Sequence, residues 1–179
     1  MDVAITIRPE HPGDEAIISG IVQRAYADVA YSDKREHLMV DRLRRTDAFL
    51  ATLSLLAEVE GGAVGHLLLT RAHIRGQDAA VPTLALAPLS VVPDYQGRGV
   101  GRGLVEAAHA QALVLGFGSI VLVGIANYYA RFGYEPLSRY RITLPFSAPE
   151  RDCMILPLRP DALSGVTGVV EYAAGWINH

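Results

Sequence analysis

The sequence predicts an α+β fold, helices packed against a sheet, and three observations carry that reading. Two strand-like stretches, Phe49 to Glu60 and Ala63 to Ile74, flank Gly61-Gly62, a dipeptide suited to a tight hairpin turn. Apolar residues recur at helical spacing from Ile17 to Tyr26 and again from Val100 to Leu115, each marking one buried face. A glycine-dense turn, Gly97-Arg98-Gly99-Val100-Gly101-Arg102-Gly103, joins an apolar strand to the second of these helices.

In chain order, Val3 to Arg8 alternates apolar and polar, as a strand with one buried face does. Pro9 to Asp14 breaks it, and Asp14 caps a helix whose apolar face is Ile17, Ile18, Ile21, Val22, Ala25 and Tyr26. A shorter helix spans Lys34 to Arg45, with Leu38, Met39 and Leu43 inward. After the hairpin, Thr83 to Val92 forms a fourth strand. Pro88 inside it cannot donate to a ladder, so it marks an edge or a bulge. The next helix lines up Leu104, Ala108, Ala112 and Leu115 and ends at Gly116. Ser119 to Ile125 is a buried fifth strand, followed by a short helix over Tyr128 to Phe132 with Asn127 before it and Gly133 after it. Strands near Arg139 to Leu144 and Asp152 to Leu158 complete the core. The whole reads as a single domain over 1–179, core about 3–159, with the apolar residues of the tail 160–179 packed on it.

Composition narrows the function classes. Half of the 179 residues are hydrophobic, which excludes a disordered chain. A net charge of −3 argues against a general nucleic-acid or membrane-surface binder, and leaves Arg98 and Arg102 as local positive charge. Cys153 is the single cysteine, so no internal disulfide forms, in keeping with a reducing cytoplasm. The first residues lack the pattern of a signal peptide, and no apolar run reaches the ~20 residues of a membrane span. His11, His73, His109 and His179 are too dispersed for a metal site.

The glycine turn is the chemically informative segment. Glycines let successive N–H groups converge at the positive end of a helix, which makes an anion site suited to phosphate. A Walker loop needs Lys-Ser/Thr after its last glycine, where this chain has Arg102-Gly103 after Gly101. A Rossmann fingerprint needs a third glycine where Arg102 stands, and an acidic residue about 20 positions on that the next strand lacks. What fits is Gln-x-x-Gly-x-Gly, read as Gln96-Gly97-Arg98-Gly99-Val100-Gly101. This resembles the pyrophosphate-binding motif of the GNAT superfamily of acetyl-CoA-dependent N-acetyltransferases. Downstream, Tyr128-Tyr129-Ala130-Arg131-Phe132-Gly133-Tyr134 is similar to that superfamily's Tyr-x-x-x-Gly-Phe signature. Together the segments cover roughly a third of the chain, in the family's order, and look most like a bacterial branch with undefined acceptors.

The resemblance implies a mixed, mostly antiparallel sheet flanked by helices, with acetyl-CoA in a slot where the fourth strand bulges and parts from the fifth. It implies that Gly97, Arg98, Gly99, Val100, Gly101 and Arg102 hold the pyrophosphate, mostly by backbone, and that main-chain groups of Leu89, Ser90 and Val91 pair with the pantetheine arm. The Arg98 and Arg102 side chains either reach phosphate oxygens or are solvated at the helix start. Tyr129, four residues before Gly133, becomes the general acid for the leaving thiol; Tyr128 packs the helix. The activity implied is acetyl transfer to a primary amine by direct attack, from a protein that is a homodimer as superfamily members commonly are. The family's glutamate on the fifth strand is absent, and Leu122 stands where it has an asparagine, so the base is unassigned, with Glu58 and His66 as candidates. Two alternatives stay open at this point: a non-catalytic acyl-CoA-binding regulatory module, and an N-acyltransferase using a longer acyl donor.

Overall fold

The protein is described from a computed structural model, over residues 3–176. Strand β1 (Ile5–Pro9) leads into helices α1 (Glu15–Tyr26) and α2 (Glu36–Arg44). Strands β2 (Phe49–Val59), β3 (Gly62–Arg75) and β4 (Ala80–Val91) follow as a meander, then α3 (Val100–Val114), β5 (Ser119–Val123) and α4 (Ala126–Ala130). Short strands β6 (Glu135–Pro136) and β7 (Ile142–Thr143), then β8 (Cys153–Pro157) and β9 (Gly168–Glu171), close the described chain. The sheet runs β1-β2-β3-β4-β5-β8-β6, with β9 joined to β3 and β7. Every pairing is antiparallel except β4 with β5 and β7 with β9, the mixed, mostly antiparallel sheet that the resemblance implied.

The hairpin forms one residue earlier than the glycine pair suggested. Glu60 and Gly61 take the two turn positions at φ 51° and 79°, while Gly62 pairs with Val59. Positive φ at both centres is the turn whose twist matches the strands. Helix α3 lies on one face of the sheet. Gly65 of β3 makes room for it, since a Cβ there would come within 2.9 Å of Val100 and 3.0 Å of Leu104. Alternation along β3 sends His66 to the other face, toward Arg44 of α2. The sheet is therefore covered on both sides, with Ile18, Val22, Leu43, Leu56, Leu68, Leu104 and Ala108 in one continuous core. A second cluster, around Ile74, Val121, Ile155 and Val170, fills the end where β9 adds to β3.

Several local expectations change. Asp14 precedes α1, but its carboxylate makes no cap; it takes the Arg8 guanidinium at 2.7 Å and the His11 N–H at 2.7 Å. Arg8 and that N–H together hold the Asp14 carboxyl down to about 2. On α2 the inward residues are Val40 and Leu43, and Leu38 is exposed. Leu115 lies beyond the buried stripe of α3, exposed beside Leu113 and Val114. Asn127 sits within α4 rather than before it, the N-cap being Ile125. The stretch from Arg139 to Leu144 holds only the two-residue β7, because tight turns replace the rest. Part of the tail becomes β9, and Trp176 donates from its indole N–H to Thr70 Oγ1 at 2.9 Å; His179 lies outside the described residues.

Candidate functional site

Strands β4 and β5 pair only at Leu84–Ile120 and Ala85–Val121, and then diverge. The divergence coincides with a bulge in β4. Leu86 pairs with Leu69 and Leu89 with Leu67, so β4 carries one extra residue around Ala87 and Pro88. The proline expected at an edge or bulge is at that bulge. Beyond it the ladder is regular: His66 faces Ser90, and the Val92 N–H donates to the Val64 carbonyl at 2.9 Å. In an antiparallel ladder the backbone groups alternate between the two sides of the strand. Ser90 thus turns its N–H and C=O toward β3, and Leu89 and Val91 turn theirs to the edge that β5 has left. Of the three residues expected to offer main chain there, Ser90 is the exception.

The two edge carbonyls already hold side chains. The Tyr26 hydroxyl donates to the Leu89 carbonyl at 3.2 Å, and the Gln96 amide to the Val91 carbonyl at 2.9 Å. Gln96, the first residue of the glycine motif, thereby ties the loop to the strand. The loop makes its turns at Gly97 and Gly99, both in left-handed backbone at φ 72° and 85°. The Gly103 N–H donates to the Gly99 carbonyl at 3.0 Å, so the helical ladder of α3 starts there. The N–H groups of Val100, Gly101 and Arg102 belong to the first turn, which has no helical acceptors, at the positive end of a 15-residue helix.

A cleft of about 980 Å³ opens along this edge. Leu89, Val91, Gln96, Gly97 and Gly101 line one side, Val123, Gly124, Ile125, Tyr128 and Tyr129 another, and Ala25, Tyr26, Val29, Tyr31, Pro149, Arg151 and Asp152 the rest. Gly101 is needed for close approach. A Cβ there would stand 2.6 Å from the Tyr128 hydroxyl. Gly124 does the same for Tyr129, whose ring edge would lie 2.6 Å from an added Cβ. The Tyr129 ring stacks edge-on against Tyr128 and Tyr134, with centroids at 5.0 and 5.6 Å. Burial pushes its phenol above the ordinary tyrosine range, so it keeps its proton at neutral pH. Tyr134 in turn meets His109 at 3.0 Å behind the cleft.

Besides Ser90, four sequence candidates stand apart from the cleft lining. Val100 turns its side chain into the core, so only its N–H is offered. Gly99 shapes the turn from outside the cleft. Arg98 lies over the Tyr95 ring at 5.4 Å, and Arg102 bonds Glu106 at 2.8 Å on the exposed flank of α3. Both arginine side chains are exposed at the helix start.

The two candidates for the base are elsewhere. Glu58 accepts from Arg8 at 2.9 Å across β1 and β2. His66 is fully buried on the far face. Ser54 donates its one hydrogen to Glu10, so the Ser54 oxygen accepts from His66 Nε2–H at 2.9 Å. Burial and the nearby Arg44 push the His66 imidazole down to about 3, and it stays neutral. What the sequence reading passed over is Asp152, the one carboxylate among the described residues that line the cleft. No local pattern singles it out, because it reaches the cleft through the pairing of β8 with β5.

Known proteins share this arrangement. Residues 51–136 match the family model described as an acetyltransferase (GNAT) domain. YhbS of Escherichia coli K12, called an uncharacterized N-acetyltransferase, is 32% identical over 167 residues, 93% of this chain and 95% of that one. YjhQ of the same strain, named likewise, is 34% identical over 142 residues, 76% of this chain and 78% of its own. The crystal structure of Escherichia coli YhbS in complex with CoA superposes with a TM-score of 0.86 at 27% identity, covering 97% of this chain and 92% of that one. A GNAT family acetyltransferase from Brucella melitensis, in complex with acetyl-CoA, gives 0.80 at 33% identity, covering 97% and 99%. The fold is that of an acyltransferase. The chain belongs to the GNAT acetyltransferase family.

Proposed function

We propose that this enzyme transfers an acetyl group from acetyl-CoA to a primary amine by direct attack of the amine, with Tyr129 as general acid. The observation that carries the reading is the open edge of β4, with the free first turn of α3 at one end and the Tyr129 phenol across from it. The residues fit acetyl-CoA on two counts. Gly101 leaves room for a phosphate to approach the amides, and an apolar cleft borders the strand edge where an amide-bearing arm can pair. The CoA and acetyl-CoA complexes of the two relatives support the same assignment.

In this reading the N–H groups of Val100, Gly101 and Arg102, with the Gly97 turn, hold the pyrophosphate. Leu89 and Val91 extend the sheet onto the pantetheine arm, displacing the Tyr26 and Gln96 bonds or sharing those carbonyls. The Val91 N–H faces the thioester carbonyl, where a donor aimed at a developing oxyanion contributes about 3 kcal/mol. Tyr129 donates its phenolic proton to sulfur as the C–S bond breaks, and a proton shed by the newly acylated nitrogen restores the phenol through solvent. A reducing cytoplasmic setting, which the buried Cys153 thiol suits, and a homodimer belong to the same reading. Light scattering on the purified protein checks the second.

The test is titration with acetyl-CoA by calorimetry, followed by thiol release against a panel of amines. Binding with amine-dependent release is expected. Gly101→Val should weaken acetyl-CoA binding about 10- to 100-fold, since the added methyls displace the Tyr128 hydroxyl and fill the approach to the amides. Unchanged affinity in that variant would remove the loop from the site.

A further inference from the structure

The acetyl-transfer reading leaves the acceptor and its proton unassigned, and the cleft beyond Tyr129 supplies both. From the geometry we infer that Asp152 receives the ammonium of the acceptor and takes its proton, and that the acceptor is a primary monoamine on a compact apolar body. This inference rests on the function proposed above.

Position comes first. The Gly124 N–H donates to the Asp152 carbonyl at 2.9 Å, and Val123 pairs with Cys153. Asp152 therefore stands where β5 has left β4, at the same glycine against which the Tyr129 ring packs. One residue, Gly124, thus meets both the Tyr129 ring and the Asp152 main chain beside the cleft. Two carboxylates on the helical side are engaged elsewhere: Glu36 accepts from Ser32, and Glu10 from Arg44 and Ser54. Asp152 has only Arg151 at 3.7 Å, on a side chain that is 85% exposed.

The lining defines the rest of the acceptor. Ala25, Val29, Val123, Ile125 and Pro149 are apolar, with Tyr26 and Tyr31 beside them. Val123 and Ile125 are 43% and 62% exposed, so the end of the fifth strand, expected to be buried, offers bare apolar surface to the cleft. A single carboxylate matches a single ammonium. A polyamine or a basic peptide would bring further cations into a wall whose other charge is Arg151. The titratable groups that line the cleft with Asp152 are Arg151, Tyr128 and Tyr129 from α4, and Tyr26 and Tyr31 from α1 and the loop after it; Glu150 and Cys153 flank it in sequence, outside that lining.

Protons balance. Asp152 accepts one from the ammonium and passes it to solvent; the freed amine attacks the carbonyl carbon. The second N–H proton is the one that restores Tyr129, and the products are the amide, the thiol and one proton.

The test uses phenethylamine as probe, with spermidine and a glycine-terminated peptide beside it. For the wild type, kcat/KM for phenethylamine should stay level with pH through the neutral range up to the amine's own pKa. Asp152→Asn should lower it about 100-fold at pH 7. The remaining rate should climb tenfold per pH unit toward the amine's own pKa, because only the free amine then reacts. Acetyl-CoA affinity by calorimetry should be unchanged in that variant, and Asp152→Glu should recover the level profile. A wild-type rate and profile in Asp152→Asn overturns the inference. So does thiol release with spermidine or the peptide but none with phenethylamine, an outcome that leaves acetyl transfer standing. Failure of the wild type to bind acetyl-CoA removes the underlying reading and this inference with it.

Discussion

Two clusters of polar side chains flank the sheet, and they differ in what they face. Glu10, Ser54, His66 and Arg44 form one, between the sheet and α2, and bond chiefly to one another. Tyr26, Tyr128 and Tyr129 form the other, around a cleft, with Tyr129 packed by rings and its hydroxyl free of side-chain partners among the described residues. The first contains the histidine that a sequence reading offers as a base. The second contains phenols that the same reading could take as packing. The difference is whether the polar atoms are spent on one another or turned toward space that a substrate can enter.

Substitutions should separate the clusters by what they change. The largest expected effect is in the cleft: Tyr129→Phe should lower kcat about 100-fold, with acetyl-CoA affinity and melting temperature nearly unchanged. A larger effect on acetyl-CoA KM than on kcat would make Tyr129 a binding residue. In the closed network the pattern reverses. Ser54→Ala leaves the buried His66 Nε2–H without its acceptor and should cost about 1–3 kcal/mol in urea unfolding, with kcat/KM held. A matching loss of kcat/KM in the folded variant would show that the network serves the chemistry.

Acid should sharpen the same contrast. The folded chain keeps His66 neutral down to about 3 and His109 down to about 4, whereas the unfolded chain protonates both near 6.5. The unfolded state thus binds more protons over that range, and stability falls as pH drops from about 6.5 toward 4. The slope is at most about 1.4 kcal/mol per pH unit for each histidine. Urea unfolding across that range checks it, and His66→Gln should flatten part of the slope. Asp14, held at about 2 by Arg8, acts lower: its contribution is present above its ordinary 3.8 and is lost as pH falls through 2. The smallest effect belongs to Arg102→Ala. Its guanidinium is committed to Glu106 in solvent, so acetyl-CoA KM should change less than about twofold. A tenfold rise would bring that arginine back into the phosphate site.

The residues legible in the sequence share a property: their spacing along the chain is their geometry. The Gly97 to Gly103 turn, the hairpin at Gly61 and the placement of Tyr129 four residues before Gly133 are short-range features, set by backbone dihedrals and helical period. So the fold class and one half of the candidate site were proposed from sequence, and the family comparison bears out the class. Where several elements meet, the reading failed in a consistent way. Leu38, Leu115 and Ile125 satisfy an apolar pattern yet face outward, because a helix end or a parted strand leaves them no neighbour.

What the sequence by itself determined is therefore the glycine loop, the order of strands and helices around it, and the candidate acid. The tertiary structure alone decided which backbone groups of β4 face the open edge, since that depends on the register with β3 and on the bulge at Pro88. It also withdrew His66 into a dry network and brought Asp152 to the cleft, 28 residues after Gly124, through the β5–β8 ladder. Side-chain chemistry is written in each residue, but the protonation state and the access of a buried group are set by neighbours distant in sequence. Those neighbours exist only once the strands have paired.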